Sequence, residues 1–243
     1  MPSIFVTGAS SGIGAAIVRR MADAGWQVHA LARRAERLAA LAEETGCTPH
    51  AVDVRDIAAL EALISEIGAD ALVNNAGLGA GIEGLVSAAP GAVAQTIDTN
   101  VTAVLQLTRL ALPAMIRRGE GHVVSLGSVA GLYPNRSAIY GASKGAVRFM
   151  SMNLRNELRG TGVRVTEICP GRVATEFYDA SVPDPDTRAA LKDTGIEELR
   201  PEDIAEAVAY ALTAPRRVNV SLIELQPLEQ SFGGVSFDPV TPH

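Results

Sequence analysis

The sequence predicts an α/β fold, a single domain over 1–243 in which a seven-stranded parallel sheet carries helices on both faces. Two observations carry that expectation. Short apolar runs alternate with amphipathic stretches along the chain. The runs are continuous in Val, Ile and Leu, as in strands buried on both faces. Crossovers between such strands are right-handed.

The elements follow in order. "SIFVTG" is the first strand, and a helical pattern from Gly12 to Ala24 stops at Gly25. "QVHALA" is the second strand, and "AERLAALAEE" is a helix ending near Gly46. "PHAVDV" and "AALEALISEI" repeat the unit, and "ADALVNNAG" is the fourth strand. An apolar-periodic stretch from about Ala92 to Arg117 precedes "GHVVSLGS", the fifth strand. A helix carrying Tyr140 runs to about Arg159, and "GVRVTEICPG" is the sixth strand. Residues 177–200 hold Pro183, Asp184, Pro185 and Asp186 with weak periodicity, which predicts a substrate loop with room for one short helix. "PEDIAEAVAYAL" restarts a helix with Pro201 suited to the first turn, and "VNVSLIELQP" is the last strand, ended by Pro227. Residues 228–243 form a C-terminal extension.

Composition narrows the function. The chain has 243 residues, 47% of them hydrophobic and 20% charged, which suffices for a large core. A net charge of −6 argues against nucleic acid as a partner. Cys47 and Cys169 make no disulfide framework and fit a reduced compartment. His29, His50, His122 and His243 show no metal-ligand spacing, so no metal is expected. No basic and apolar leader precedes the first strand, and no run approaches the roughly 20 apolar residues of a membrane helix. A cytoplasmic protein without membrane partners is the expectation.

"VTGASSGIG" places Gly8, Gly12 and Gly14 between the first strand and the first helix. Glycines there allow a tight turn and close approach of a pyrophosphate, which the helix N-terminus favours. An acid at the end of the second strand would suit a ribose 2′-hydroxyl; Arg33 and Arg34 stand there instead and suit a 2′-phosphate. NADP(H) is therefore the predicted cofactor. Ser10 and Ser11 fill the turn without a cation, so the phosphate preference rests mainly on Arg33. Asp53 is placed to accept a hydrogen bond from an adenine amino group, while Asp56 suits the cap of the next helix. In "IYGASKGAV", Tyr140 and Lys144 share one helix face, one turn apart.

The glycine turn, "NNAG", Asn100, Ser128, Tyr140, Lys144 and "PG" at 170–171 fall in one order over nearly the whole chain. Together they resemble the short-chain dehydrogenase/reductase family. The resemblance implies a Rossmann fold and a CH–OH oxidoreductase with a catalytic set of Asn100, Ser128, Tyr140 and Lys144. Tyr140 would be the general acid in reduction or the base in oxidation, its phenolate favoured by the Lys144 ammonium and by the positive nicotinamide ring of the oxidised cofactor, and Lys144 would also hydrogen-bond the nicotinamide ribose. Ser128, rather than neighbouring Ser125, would orient the substrate oxygen. Asn100 would hold a water linking Lys144 to solvent, and Asn74 would stabilise the sheet. The implied cofactor cleft comprises Gly8, Ser10, Ser11, Gly12, Ile13, Gly14, Arg33, Arg34, Asp53, Val54, Asn75, Ala76, Gly77, Tyr140 and Lys144. Pro170, Gly171, Val173 and Thr175 would line its nicotinamide end.

"NNAGLGAG", "IDTN", "GTGVRVTEICPG" and "VNVSLIELQPLEQS" resemble the NADP-dependent 3-hydroxy acid dehydrogenases, with sulfoacetaldehyde reductases as near relatives. That likeness implies a small anionic substrate and a cation near the reactive carbon, for which Arg136, Arg148 and Arg172 are the candidates. "PNRSAIYG", a shorter stretch after Gly171 and the final "SFDPVTPH" depart from the subgroup around the pocket. A reductase of bulkier ketones or 3-oxoacyl thioesters, and an NADPH-binding sensor, are the competing readings. The family also implies a homotetramer, which the broadly apolar "VTAVLQLTRLALPAM" suits.

Overall fold

The computed structural model describes residues 1–231 and 237–240. Its strands are β1 (Ser3–Thr7), β2 (Gln27–Ala32), β3 (Thr48–Ala51), β4 (Ala71–Asn74), β5 (Gly121–Leu126), β6 (Val163–Pro170) and β7 (Leu222–Leu225). They pair in parallel in the order β3-β2-β1-β4-β5-β6-β7, the seven-stranded sheet expected from the alternation. The order reverses between β1 and β4. Connections there leave in opposite directions and open a crevice beyond the strand ends, where ligands bind in open α/β sheets.

The pleat sends successive side chains to opposite layers. Ile4 and Val6 join one core cluster, with Ile17, Val18 and Met21 of α1 (Gly12–Asp23) and Ile204, Val208 and Leu212 of α9 (Pro201–Thr213). Phe5 joins the other, with Leu60 and Ile64 of α3 (Ile57–Ile67) and Leu107 and Met115 of α5 (Ala103–Arg118). Helix α2 (Ala35–Thr45) follows β2, and α6 (Ala138–Glu157) carries the Tyr/Lys pair. Asp56 caps α3 by accepting from Ala59 N. Buried Asn74 donates to Thr108 Oγ1 at 3.0 Å, tying β4 to α5.

Four segments differ from the sequence-based expectation. The single long helix is α4 (Ala92–Ile97) and α5 joined by a π-turn over Asp98–Thr102. β3 stops at Ala51, which leaves Asp53 in the following turn. The 177–200 loop contains two helices, α7 (Phe177–Ser181) and α8 (Pro185–Lys192). The residues that suggested a loop start the second of these: Asp184 accepts from Thr187 N at 2.7 Å with Pro185 at the first helical position. The last strand spans only Leu222–Leu225. In the C-terminal extension Gln230 makes an isolated antiparallel bridge with Phe237. Residues 232–236 and 241–243, with His243, lie outside the described residues. No helix of the described residues is long and apolar enough to cross a membrane.

The turn after β1 has no spare room. A Cβ on Gly14 would lie 2.3 Å from the Gly8 carbonyl oxygen and 2.6 Å from Asn75 Nδ2. Gly14→Ala should therefore lower the unfolding free energy by about 1–3 kcal/mol. A urea titration measures this, and an unchanged midpoint would contradict the packing.

Candidate active site

The cleft starts where β1 ends. Gly8 and Gly12 have φ of 65° and 49°, a left-handed geometry that glycine adopts without strain. Ser11 precedes α1 but makes no side-chain cap, so the first-turn N–H groups face the cleft available to an anion. Arg34 lies across this turn: its Nε donates to Ser10 Oγ at 3.0 Å and its Nη2 to Ser11 Oγ. Its Nη1 donates to Glu176 Oε2 at 3.1 Å, and Arg37 Nη1 reaches the same carboxylate at 2.8 Å.

These contacts revise the expected roles of the charged residues. Arg33 lines the cleft, but Arg34 is the arginine docked on the serines. Arg37 extends the cationic end, and sequence reasoning missed it because its link to Glu176 spans 139 residues. Asp53 also lines the cleft, yet both its oxygens accept from Arg55, at 3.1 and 2.7 Å. That bond holds the Asp53 carboxyl below its ordinary pKa. The carboxylate thus has a partner of its own in addition to its place on the cleft wall. Asn75 also has structural work: its Nδ2 donates to Thr7 O at 2.8 Å and Gly8 O at 3.3 Å.

At the other end of the cleft β5 and α6 converge. Ser128 follows β5, and its Oγ accepts from Ala130 N at 3.1 Å. It lines a cavity of about 410 Å³ with Tyr140 and Lys144. Ser125 is buried in β5 and does not line it. Ser137 caps α6 at Tyr140 N, which fixes the first turn of that helix. One turn on, buried Lys144 donates to the Leu126 carbonyl at 2.7 Å, with its Nζ 5.8 Å from the centre of the Tyr140 ring. Asn100 sits in the π-turn and clamps Leu78: its Oδ1 accepts from Leu78 N at 2.9 Å, and its Nδ2 donates to Leu78 O at 2.8 Å and Ser143 Oγ at 3.0 Å. Gly77 gives this cluster room, since a Cβ there would lie 3.3 Å from Asn100 Oδ1 and 3.6 Å from Lys144 Nζ.

The protonation states differ from the expectation. Burial pushes the Lys144 ammonium down to about 8 from an ordinary 10.5, against weaker opposing influences of Cys169 and Glu167. Burial raises the Tyr140 phenol above its ordinary value, and a hydrogen bond with Ser128 works the other way. Lys144 Nζ donates to the Leu126 carbonyl, and burial is the largest influence on the phenol. The physical reason is desolvation, which disfavours the charged form of both groups.

The structure separates the three candidate arginines. Arg148 is paired with fully buried Glu167 at 3.1 Å and does not line the cavity. Arg172 lines it, but its guanidinium bonds Glu198 at 2.7 Å, donates to the Leu191 carbonyl and covers the Tyr178 ring at 4.2 Å. Arg136 lines the cavity and is exposed. Sequence reasoning also missed Phe177, which meets the Tyr140 ring edge-on at 5.4 Å, and Glu167, whose partner lies on another element.

Around the glycine turn, a second cavity of about 330 Å³ shares Ile13, Asn75, Gly77, Leu78, Thr175 and Phe177 with the first. The two form one trough, from the cations beside Ser10 and Ser11 to Tyr140. Its backbone cradle, uncapped helix start and cationic end fit a phosphorylated dinucleotide. A doubly wound sheet with such a trough ending on a Ser/Tyr/Lys cluster defines a dinucleotide-dependent oxidoreductase. The chain belongs to the short-chain dehydrogenase family, whose model matches residues 2–186. It is 42% identical to the NADP-dependent 3-hydroxy acid dehydrogenase of Salmonella typhi over 242 residues, covering 96% of this chain and 98% of that protein. It is 39% identical to sulfoacetaldehyde reductase 2 of Chromohalobacter salexigens, covering 97% and 98%. Among solved structures, the closed form of serine dehydrogenase complexed with NADP+ superposes with a TM-score of 0.89 at 39% identity, covering 99% of this chain and 100% of that one.

Lys144 supplies a direct test. Because its folded pKa is lowered, the unfolded chain binds this proton more tightly between about 8 and 10.5. The group's cost to stability is full below pH 8 and is relieved as pH rises towards 10.5. In the ligand-free protein labelled with ¹³C at lysine Cε, one resonance should titrate near pH 8 and vanish in Lys144→Met. A set of resonances all moving near the ordinary 10.5 would contradict the burial argument.

Proposed function

We propose that the chain is an NADP(H)-dependent oxidoreductase that interconverts a small hydroxy acid and the corresponding aldehyde or ketone, one domain holding both cofactor and substrate. The observation that carries this reading is the convergence of Ser128, Tyr140 and Lys144 on a cavity continuous with the cationic trough. NADP(H), when bound, supplies or receives the hydride.

The protein's part is positioning and proton management. A carbonyl between Ser128 and Tyr140 accepts a hydrogen bond from each hydroxyl, which polarises it. In reduction the phenol delivers its proton to the oxygen as the alkoxide forms, and a phenol held protonated by burial suits that direction. In oxidation the phenol first gives up its proton; the Lys144 ammonium stabilises the resulting phenolate, whose oxygen then takes the substrate hydroxyl proton. Asn100 keeps the Leu78 segment and α6 in register for this exchange. Phe177, Tyr178 and Leu191 wall the cavity from the 177–200 side, which favours a short substrate over a bulky ketone or thioester. A complete catalytic set argues against a sensor that only binds NADPH.

At the adenosine end, Arg34 and Arg37 receive the 2′-phosphate, replacing Glu176. Those ion pairs are about half exposed and so weak. Assembly as a homotetramer is supported by the exposed Val93, Leu105 and Ile116 along α4 and α5 and by Phe149 and Met152 on α6. The two free buried cysteines suit work in a reducing cytoplasm.

Two measurements test this. Tyr140→Phe should keep NADPH affinity and lose turnover by about 10²-fold or more, the usual contribution of a general acid. Normal turnover would rule out the mechanism. Arg34→Ala should weaken NADPH binding about tenfold or more while changing NADH binding little, as expected for a lost charged hydrogen bond. Fluorescence titration with both cofactors reads this, and equal losses would contradict phosphate selection.

A further inference from the structure

The geometry points to Arg136 as the residue that holds the anionic end of the substrate, a carboxylate or sulfonate. This rests on the hydroxy-acid reading above and deepens it by naming the cation. The cations lining the catalytic cavity are Lys144, Arg172 and Arg136 among the described residues. Lys144 is committed to the Leu126 carbonyl. The Arg172 side chain is only 10% exposed and is engaged by Glu198, the Leu191 carbonyl and the Tyr178 face. Among the described residues nothing pairs with the Arg136 guanidinium.

The turn that carries Arg136 is fastened on both sides. Asn135 Nδ2 donates to Ala130 O at 2.9 Å, and Asn135 Oδ1 accepts from Ser137 N at 2.8 Å. Ser137 in turn caps the first turn of α6 at Tyr140 N. The Arg136 backbone therefore sits between two anchored residues, just ahead of the helix that carries the catalytic phenol. A guanidinium so placed offers two parallel N–H groups to an oxyanion. The acid on the cavity wall, Asp193, belongs to the 177–200 segment. It repels an anion from that wall, so the field across the cavity orients the ligand with its charge towards Arg136. The reactive carbon then falls between the charged end and the apolar side chains of Phe177 and Leu191.

The test compares KM values in the full-length enzyme. NADPH-dependent reduction is followed with succinic semialdehyde, with sulfoacetaldehyde and with a neutral aldehyde of similar length. Arg136→Gln should raise the ratio of anionic to neutral KM about tenfold or more, with kcat falling much less. Arg136→Lys should recover part of the ratio, and Arg136→Glu should raise it further. The two anions separate carboxylate from sulfonate recognition: the larger ratio marks the better-fitting head group. A ratio that stays at the wild-type value, or equal losses on neutral and anionic aldehydes, would overturn the assignment while leaving the hydroxy-acid reading in place. Wild-type enzyme that reduces neutral ketones and neither anion would overturn both.

Discussion

One hydroxyl group holds the two halves of the sheet together where the site opens. Thr7 Oγ1 donates to Val73 O at 3.2 Å and accepts from Asn75 N at 2.9 Å and Ala76 N at 3.0 Å. Those groups lie at the ends of β1 and β4, where the strand order reverses and the ladder stops. The amide of Asn75 returns two bonds to Thr7 O and Gly8 O. The joint is buried, so each broken bond would leave a polar group unsatisfied at a cost of about 1–3 kcal/mol. It fixes the glycine turn against the 75–77 segment, and through Gly77 it fixes the room left for Asn100 and Lys144.

From that joint the site is built against its own electrostatics. Lys144 is buried, its Nζ bonded to a carbonyl rather than a carboxylate, and its charged form is disfavoured. Glu167 lies behind it but is held by Arg148. Tyr140 is equally disfavoured as an anion. Each group is unstable in the charge state that oxidation requires of it, unless the other is charged too. The cluster is therefore poised for a partner that brings positive charge into the cleft, and is comfortable as a neutral phenol without one. Strain of this kind belongs at functional sites, where the rest of the fold over-determines the geometry.

Much of this was legible in the sequence, for specific reasons. Strand positions were visible because both faces are buried, which makes β1, β4, β5 and β6 rich in Val, Ile and Leu. The Asp56 cap depends on local spacing and holds in the structure; Ser128, named through the family resemblance, lines the cavity where Ser125 does not. What the sequence hid depends on tertiary partners. Arg33 and Arg34 are neighbours with the same chemistry, and only the position of Ser10 and Ser11 distinguishes them. Arg148 looked available because Glu167 lies on another element. The α7 and α8 helices were hidden because they are short and polar, and their proline and aspartate start signals also mark turns. Spacing shows that Tyr140 and Lys144 are near one another, whereas burial, which spacing does not show, also bears on how each one titrates.

The two ends of the trough are joined by consecutive residues. Glu176 pairs with Arg34 and Arg37 at the cationic end, and Phe177 meets the Tyr140 ring at the catalytic end. Thr175, just before them, lines both cavities. Glu176 and Phe177 are adjacent in the chain, and α7 begins at Phe177. An anion that displaces Glu176 from its arginines therefore acts on the segment that walls the substrate cavity. The half-exposed ion pairs yield at small cost, whereas the partly buried aromatic contact yields less readily. Charge at one end and packing at the other hold the 175–178 segment, which lines the pocket in which the phenol works.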